Sequence, residues 1–202
     1  MTKQKGLFLL RLAIILSGII GLAFLLPDKL YKFTYYTNIS NLLVVLFYMY
    51  LLYLGNKPYS QTIWRLKGGI TICITLTFLV YAILLAPKAK PEDFYHIKNF
   101  TLHYIVPILT IFDWLISDKK GQYKKSDPFL WTIVPLIYCI FSLIKGFVFH
   151  IPIPEEPHSP YPYFFINIDK YGWNGFFTYF TAILVLYILL GYIMVFVKRL
   201  KK

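Results

Sequence analysis

Apolar and polar positions in this chain fall into long blocks, not into the short periods of a soluble helix or strand. Six apolar blocks stand out, roughly residues 6–26, 36–54, 68–86, 100–116, 129–149 and 174–197. Each is close to the ~20 residues that an α-helix needs to cross the hydrocarbon core of a bilayer. None shows the every-second-residue alternation of a membrane β-barrel, and an open sheet edge is not tolerated in lipid. The pattern predicts an all-α, polytopic integral membrane protein: a single domain over residues 1–202, built as a bundle of six transmembrane helices. The first block, Gly6 to Pro27, is longer than the core of a signal peptide and lacks a small-residue cleavage site, so it counts as a span.

Composition supports this reading. Hydrophobic residues make up 58% of the chain and charged residues 15%, against about 25% charged in soluble domains. The net charge of +12 sits mainly in the connections between blocks, which argues against a nucleic-acid partner. With the N-terminus inside the cell, the inner segments carry Lys3, Lys5, Lys57, Arg65, Lys67, Lys119, Lys120, Lys124, Lys125, Lys198, Arg199, Lys201 and Lys202. The outer ones carry only Lys29, Lys32, Lys88, Lys90, Lys98 and Lys170. The excess of Lys and Arg on one side predicts both termini in the cytoplasm. Cys73 and Cys139 fall mid-span, with no disulfide or metal spacing, and read as packing residues.

This topology gathers the polar chemistry at the outer end. Span two opens with Thr37, Asn38, Ile39, Ser40 and Asn41, and span four with His103, followed four residues later by Pro107. Polar and ionisable groups in a span mark either a paired structural contact or a functional site. Thr37 fits a helix cap, a bond to a neighbouring helix, or a nucleophile activated by an adjacent base. As a nucleophile it would use the first-turn N–H groups of Asn38 and Ile39 for an oxyanion, since helix starts leave such donors unpaired. His103 fits an interhelical bond or a general base, because burial and the positive helix end both disfavour a charged ring. Pro107 removes the backbone hydrogen bond to the carbonyl four residues back, that of His103.

Asp113 lies about 15 Å further along the same helix at 1.5 Å per residue, too far to orient His103. A structural pairing at the inner interface is expected, with Lys119 or Lys120 as partner. Lys145 in span five is expected to snorkel outward or to hold a carboxylate. The run Tyr161–Phe165, YPYFF, reads as an interfacial anchor or as a cap over an acyl pocket. Asn38, Ser40, Asn41, Lys145 and Tyr161 are the expected substrate contacts beside a catalytic Thr37 and His103. No P-loop, GxSxG, HExxH or paired CxxC is present, so no cofactor is expected.

Two alternatives stay open. His103, His150, His158, Glu155, Glu156 and Asp169 share the outer side and are suitable metal ligands. A non-enzymatic lipid-binding or transport protein is the other, although Pro107 and Pro135 interrupt spans four and five without a matching pair in spans one to three. No feature specifies an oligomeric state.

The segments YYTNISNLL, LHYIVPILTIFDWL and SLIKGF followed by YPYFF together resemble the bacterial proline-rich six-transmembrane proteins. That group is similar to the eukaryotic androgen-induced protein and androgen-dependent TFPI-regulating protein family. The resemblance covers essentially the whole chain in span number and motif order. It implies a multi-pass protein of the bacterial plasma membrane whose partners are membrane lipids. It also implies a threonine hydrolase that cleaves amphipathic lipid esters, such as fatty acid esters of hydroxy fatty acids. The family's threonine falls on Thr37 and its histidine on His103.

Overall fold

The computed structural model describes residues 3–25, 30–154 and 159–200. Six helices among them are long and apolar enough to cross a membrane: α1 (Lys3–Ala23), α2 (Tyr36–Leu54), α3 (Gln61–Lys88), α4 (Ile97–Ser117), α5 (Asp127–Val148) and α6 (Ile168–Leu200). The protein is an all-α, multi-pass membrane protein.

Two helices begin a turn and a half or more before their apolar blocks, for identifiable reasons. α3 starts at Gln61 because Ser60 caps it, its hydroxyl accepting the Ile63 N–H at 3.4 Å. Arg65 and Lys67 thereby lie inside the helix and not in a loop. α6 starts at Ile168 with one turn that ends at Gly172, whose φ of +64° redirects the chain before the long apolar stretch.

α1 to α4 pack as one four-helix unit around Ile14, Ile15, Val44, Val45, Tyr48, Leu51, Ile74 and Val106. α5 and α6 pack against the α3 side of that unit through Ile72, Cys73, Leu76, Trp131, Tyr187 and Met194. Outward faces carry exposed apolar residues such as Leu46, Ile83, Ile137 and Leu189, as lipid contact requires. Close approach of α1 to α4 depends on Gly21, where an added Cβ would lie 2.4 Å from the Leu102 side chain. Cys73 and Cys139 are free thiols.

The end of the bundle far from Thr37 is closed by buried charge. Arg11 Nε donates to Asp113 Oδ1 at 3.1 Å, and Lys67 Nζ lies 2.5 Å from Asp113 Oδ2. Lys67 also bonds Asp118, which accepts from Tyr123. The Tyr48 hydroxyl completes the shell of Asp113 at 3.1 Å. The expected partners of Asp113, Lys119 and Lys120, are displaced by cations from α1 and α3. Asp113 is fully buried, whereas Lys119 and Lys120 sit past the helix end, so only cations already inside the bundle reach it.

Candidate active site

Thr37 occupies the first turn of α2, one residue after its start. It does not cap the helix. Tyr35 holds the cap position with no side-chain bond, and the Thr37 hydroxyl is left to turn toward α4. There it meets His103: Thr37 Oγ1 and His103 Nε2 are 3.2 Å apart. The other ring nitrogen, Nδ1, lies 3.1 Å from the Asn99 carbonyl. A carbonyl only accepts, so Nδ1 carries the ring proton and Nε2 presents its lone pair to the hydroxyl. This is the tautomer in which the ring can take a proton from Thr37.

The backbone around His103 is not a plain α-helix. Residues 101–105 form a π-helical turn in which the Val106 N–H donates to the Thr101 carbonyl, five residues back. Pro107 follows and supplies no donor. In this register the carbonyl it leaves open belongs to Leu102, not to His103 as the α-helical count gives. Asn41 fills the vacancy. Its Nδ2 donates to the Leu102 carbonyl at 3.0 Å and to the Thr37 carbonyl at 2.8 Å. One amide thus ties the turn bearing Thr37 to the turn bearing His103.

The imidazole is also held by its faces. Tyr81, in a second π-helical turn at the end of α3, stacks on it with ring centroids 3.9 Å apart. The Tyr81 hydroxyl accepts from Asn99 Nδ2 at 2.5 Å. Asn99 therefore fixes both the ring proton, through its backbone, and the stacking partner, through its side chain.

A third side chain completes the cluster. The Tyr163 phenol accepts the Thr37 N–H at 3.3 Å and lies 3.4 Å from Thr37 Oγ1. Burial pushes this phenol up from its ordinary value, so it keeps its proton and remains a donor. The Asn38 and Ile39 N–H groups, expected to face an oxyanion, instead donate to the Tyr35 carbonyl at 3.1 and 3.3 Å. The helix start turns tightly enough to satisfy them itself. The available donor is Tyr163, two residues beyond the Tyr161 singled out from the sequence.

The expected substrate contacts are all engaged with other parts of the protein. Asn38 Nδ2 donates to the Lys32 carbonyl at 2.6 Å and pins the turn before α2. Ser40 bonds the Thr37 carbonyl at 3.0 Å and the Thr77 hydroxyl at 2.7 Å. Lys145 is buried against the loop backbone. Its ammonium donates to the carbonyls of Ile151 at 2.6 Å and Pro160 at 3.3 Å. Tyr161 donates to Asp169 at 3.2 Å, with its ring against Gly146. Lys145 and Tyr161 together hold the loop that delivers Tyr163. No group of three His, Cys, Asp or Glu side chains able to hold a metal occurs among the described residues. Glu155, Glu156 and His158 of the alternative metal set lie outside them.

Two cavities flank the Thr37–His103 pair. An apolar one of about 100 Å³ lies between α2–α3 and α5–α6, lined by Thr37, Leu76, Val80, Leu136, Tyr163 and Leu184 among others. A vestibule of about 470 Å³ with mixed polar and apolar walls opens on the His103 side, lined by Phe24, Lys32, Asp93, His96, Lys98, Asn99 and His103. Thr37 lines the apolar cavity, and His103 lines the mixed one. Comparisons with protein-family models, curated proteins and solved structures give no match for the chain.

Proposed function

We propose that this protein is an intramembrane lipid-ester hydrolase with Thr37 as nucleophile and His103 as its base. The observation that carries this reading is the 3.2 Å contact from Thr37 Oγ1 to a His103 Nε2 whose partner nitrogen is committed to the Asn99 carbonyl. A free hydroxyl is a weak nucleophile and needs such a base. The acyl chain of the substrate lies in the apolar cavity, with its carbonyl carbon at Thr37.

His103 Nε2 takes the hydroxyl proton as Thr37 Oγ1 bonds to that carbon. The carbonyl electron pair moves onto oxygen, where the Tyr163 phenol donates to it. As the carbonyl re-forms, the bond to the alcohol oxygen breaks, and His103 returns its proton to that oxygen. Water entering through the vestibule gives a proton to His103 and attacks the acyl-threonine. As the bond from the acyl carbon to Thr37 Oγ1 breaks, His103 returns that proton to Oγ1, which releases the carboxylic acid and restores the threonine.

Loop charge supports cytoplasmic termini, and with that topology the site opens toward the outer leaflet. The resemblance to the bacterial proline-rich six-transmembrane proteins favours fatty acid esters of hydroxy fatty acids as substrates.

A fluorophosphonate probe for serine and threonine hydrolases, applied to membranes holding wild type, Thr37→Ala or His103→Ala, tests the reading. The expected result is labelling of the wild type that is lost in both variants. An unlabelled wild type, or a Thr37→Ala variant labelled as strongly, overturns it.

A further inference from the structure

α5 and α6 approach most closely at the end of the bundle far from Thr37. There Pro128 lies against Gly191, where an added Cβ would come within 2.8 Å of the proline side chain. Just beyond, α5 breaks: one α-helical run ends at Trp131 and the next starts at Ile133. Pro135 has no N–H for the Trp131 carbonyl four residues back. The Tyr187 hydroxyl of α6 donates to that carbonyl instead, at 2.8 Å, and latches the two helices together. Past this latch α5 packs loosely, and between Ile133 and Leu143 only Ser142 is buried. The helices are joined again by the loop cluster around Phe165 and Ile166, on which Cys139 and Leu143 of α5 and Phe180 and Ile183 of α6 pack.

The gap between latch and loop cluster borders the apolar cavity at Thr37. Leu136 and Leu184 line that cavity from the two helices, and neither is fully buried. Their neighbours Ile137, Ile140 and Val185 are apolar and exposed, as on a surface that meets lipid. An apolar space within reach of hydrocarbon takes up chain and not water. Water finds too few polar partners there, and an empty space forfeits dispersion contacts. We infer that the gap between α5 and α6 is a lateral port, rimmed by Leu136 and Leu184, through which the acyl chain of a bilayer lipid slides into the cavity. The inference rests on the hydrolase reading for the ester bond carried by that lipid, but passage of the chain needs no turnover.

The test uses the full chain in phosphatidylcholine nanodiscs, one copy per disc, with a trace of phosphatidylcholine whose acyl chain carries a diazirine. Adducts formed on irradiation are located by tandem mass spectrometry. Ile83, exposed on α3, reports lipid around the bundle; Leu76, buried on the cavity side of the same helix, reports chain inside it. The wild type is expected to give adducts at both. Leu136→Trp combined with Leu184→Trp should lower the ratio of Leu76 to Ile83 adducts about tenfold. Leu189→Trp, on the exposed face of α6, should leave it within about twofold. Leu184→Ala widens the port and should raise the ratio. An unchanged unfolding midpoint shows that the variants remain folded, and the single Trp variants with Leu184→Ala carry the test where the double variant does not fold.

No Leu76 adduct in the wild type, or a ratio unmoved by the Trp variants and by Leu184→Ala, overturns the port. A Leu76 adduct that disappears when each disc holds two copies assigns the gap to a second copy of the chain and overturns the lipid assignment. A fluorophosphonate with a long alkyl chain, applied to the same samples, separates the two readings. Leu76 adducts without labelling defeat the hydrolase and leave a lipid port, whereas labelling without Leu76 adducts defeats the port alone.

Discussion

Tyr163 touches Thr37 twice, at its amide and at its hydroxyl. The phenol accepts from the amide, which leaves its proton for the oxygen at the reacting centre. Its ring is clamped by stacking on Phe165, 5.0 Å between centroids and 6° between planes, and edge-on by Tyr35 at 5.7 Å. Replacing Tyr163 with Phe keeps this packing and deletes the donor. On the hydrolase reading, kcat for a chromogenic decanoyl ester should fall by about 10²–10³, as for other oxyanion donors, with KM little changed. A drop in KM-limited binding with kcat intact would assign the phenol to substrate packing. Tyr163 was legible in the sequence only as part of YPYFF. Which of its aromatic residues faces Thr37 depends on how Lys145 and Tyr161 anchor the loop. Thr37 and His103 were legible because each sits at a polar start of an apolar block; their 3.2 Å contact was not, since it depends on how two helices pack.

At the scale of elements, the site is an agreement between α2 and α4 enforced by one amide. The π-helical turn and Pro107 together leave the Leu102 carbonyl open, and Asn41 spans from it to the Thr37 carbonyl. Asn41→Leu, close in volume, deletes both bonds and strands a buried carbonyl. A loss of about 1–3 kcal/mol of stability is expected for that orphaned group. Fluorophosphonate labelling should slow more than the small change in midpoint temperature explains, because the nucleophile and base are no longer held in register. Equal labelling rates in folded Asn41→Leu would show that Gly21-mediated packing of α1 on Leu102 alone aligns the turns. The spans themselves were legible in the apolar blocks, because a bilayer leaves a helix no alternative. Their ends were less so: Ser60 extends α3 and Gly172 divides α6, both through local backbone chemistry that hydropathy does not register.

Across the whole molecule, the two ends of the bundle solve opposite problems. The site end keeps its polar atoms beside cavities, where, on the hydrolase reading, a substrate reaches them. The far end buries Arg11, Lys67, Asp113 and Asp118 in contact with one another, joining α1, α3 and α4. Its pairings were illegible because partners such as Arg11 and Asp113 lie about a hundred positions apart, and charge alone pointed to the nearer lysines. Removing one member of such a cluster leaves the others uncompensated in a dry interior. Asp113→Asn deprives Arg11 and Lys67 of their shared anion, although Tyr59 still accepts from Arg11 at 2.8 Å and Asp118 still faces Lys67. A loss of about 3–5 kcal/mol is expected, read as a lower unfolding midpoint of the purified protein by tryptophan fluorescence. Removing both sides together, as Arg11→Met with Asp113→Leu, should recover part of that loss, since an apolar pair has no ions to desolvate. If the cluster only locks the helices, any Asp113→Asn protein that remains folded should react with fluorophosphonate at the wild-type rate. Loss of labelling in folded protein would instead show that the charged end governs the geometry of the Thr37–His103 contact, about 15 Å away along α4.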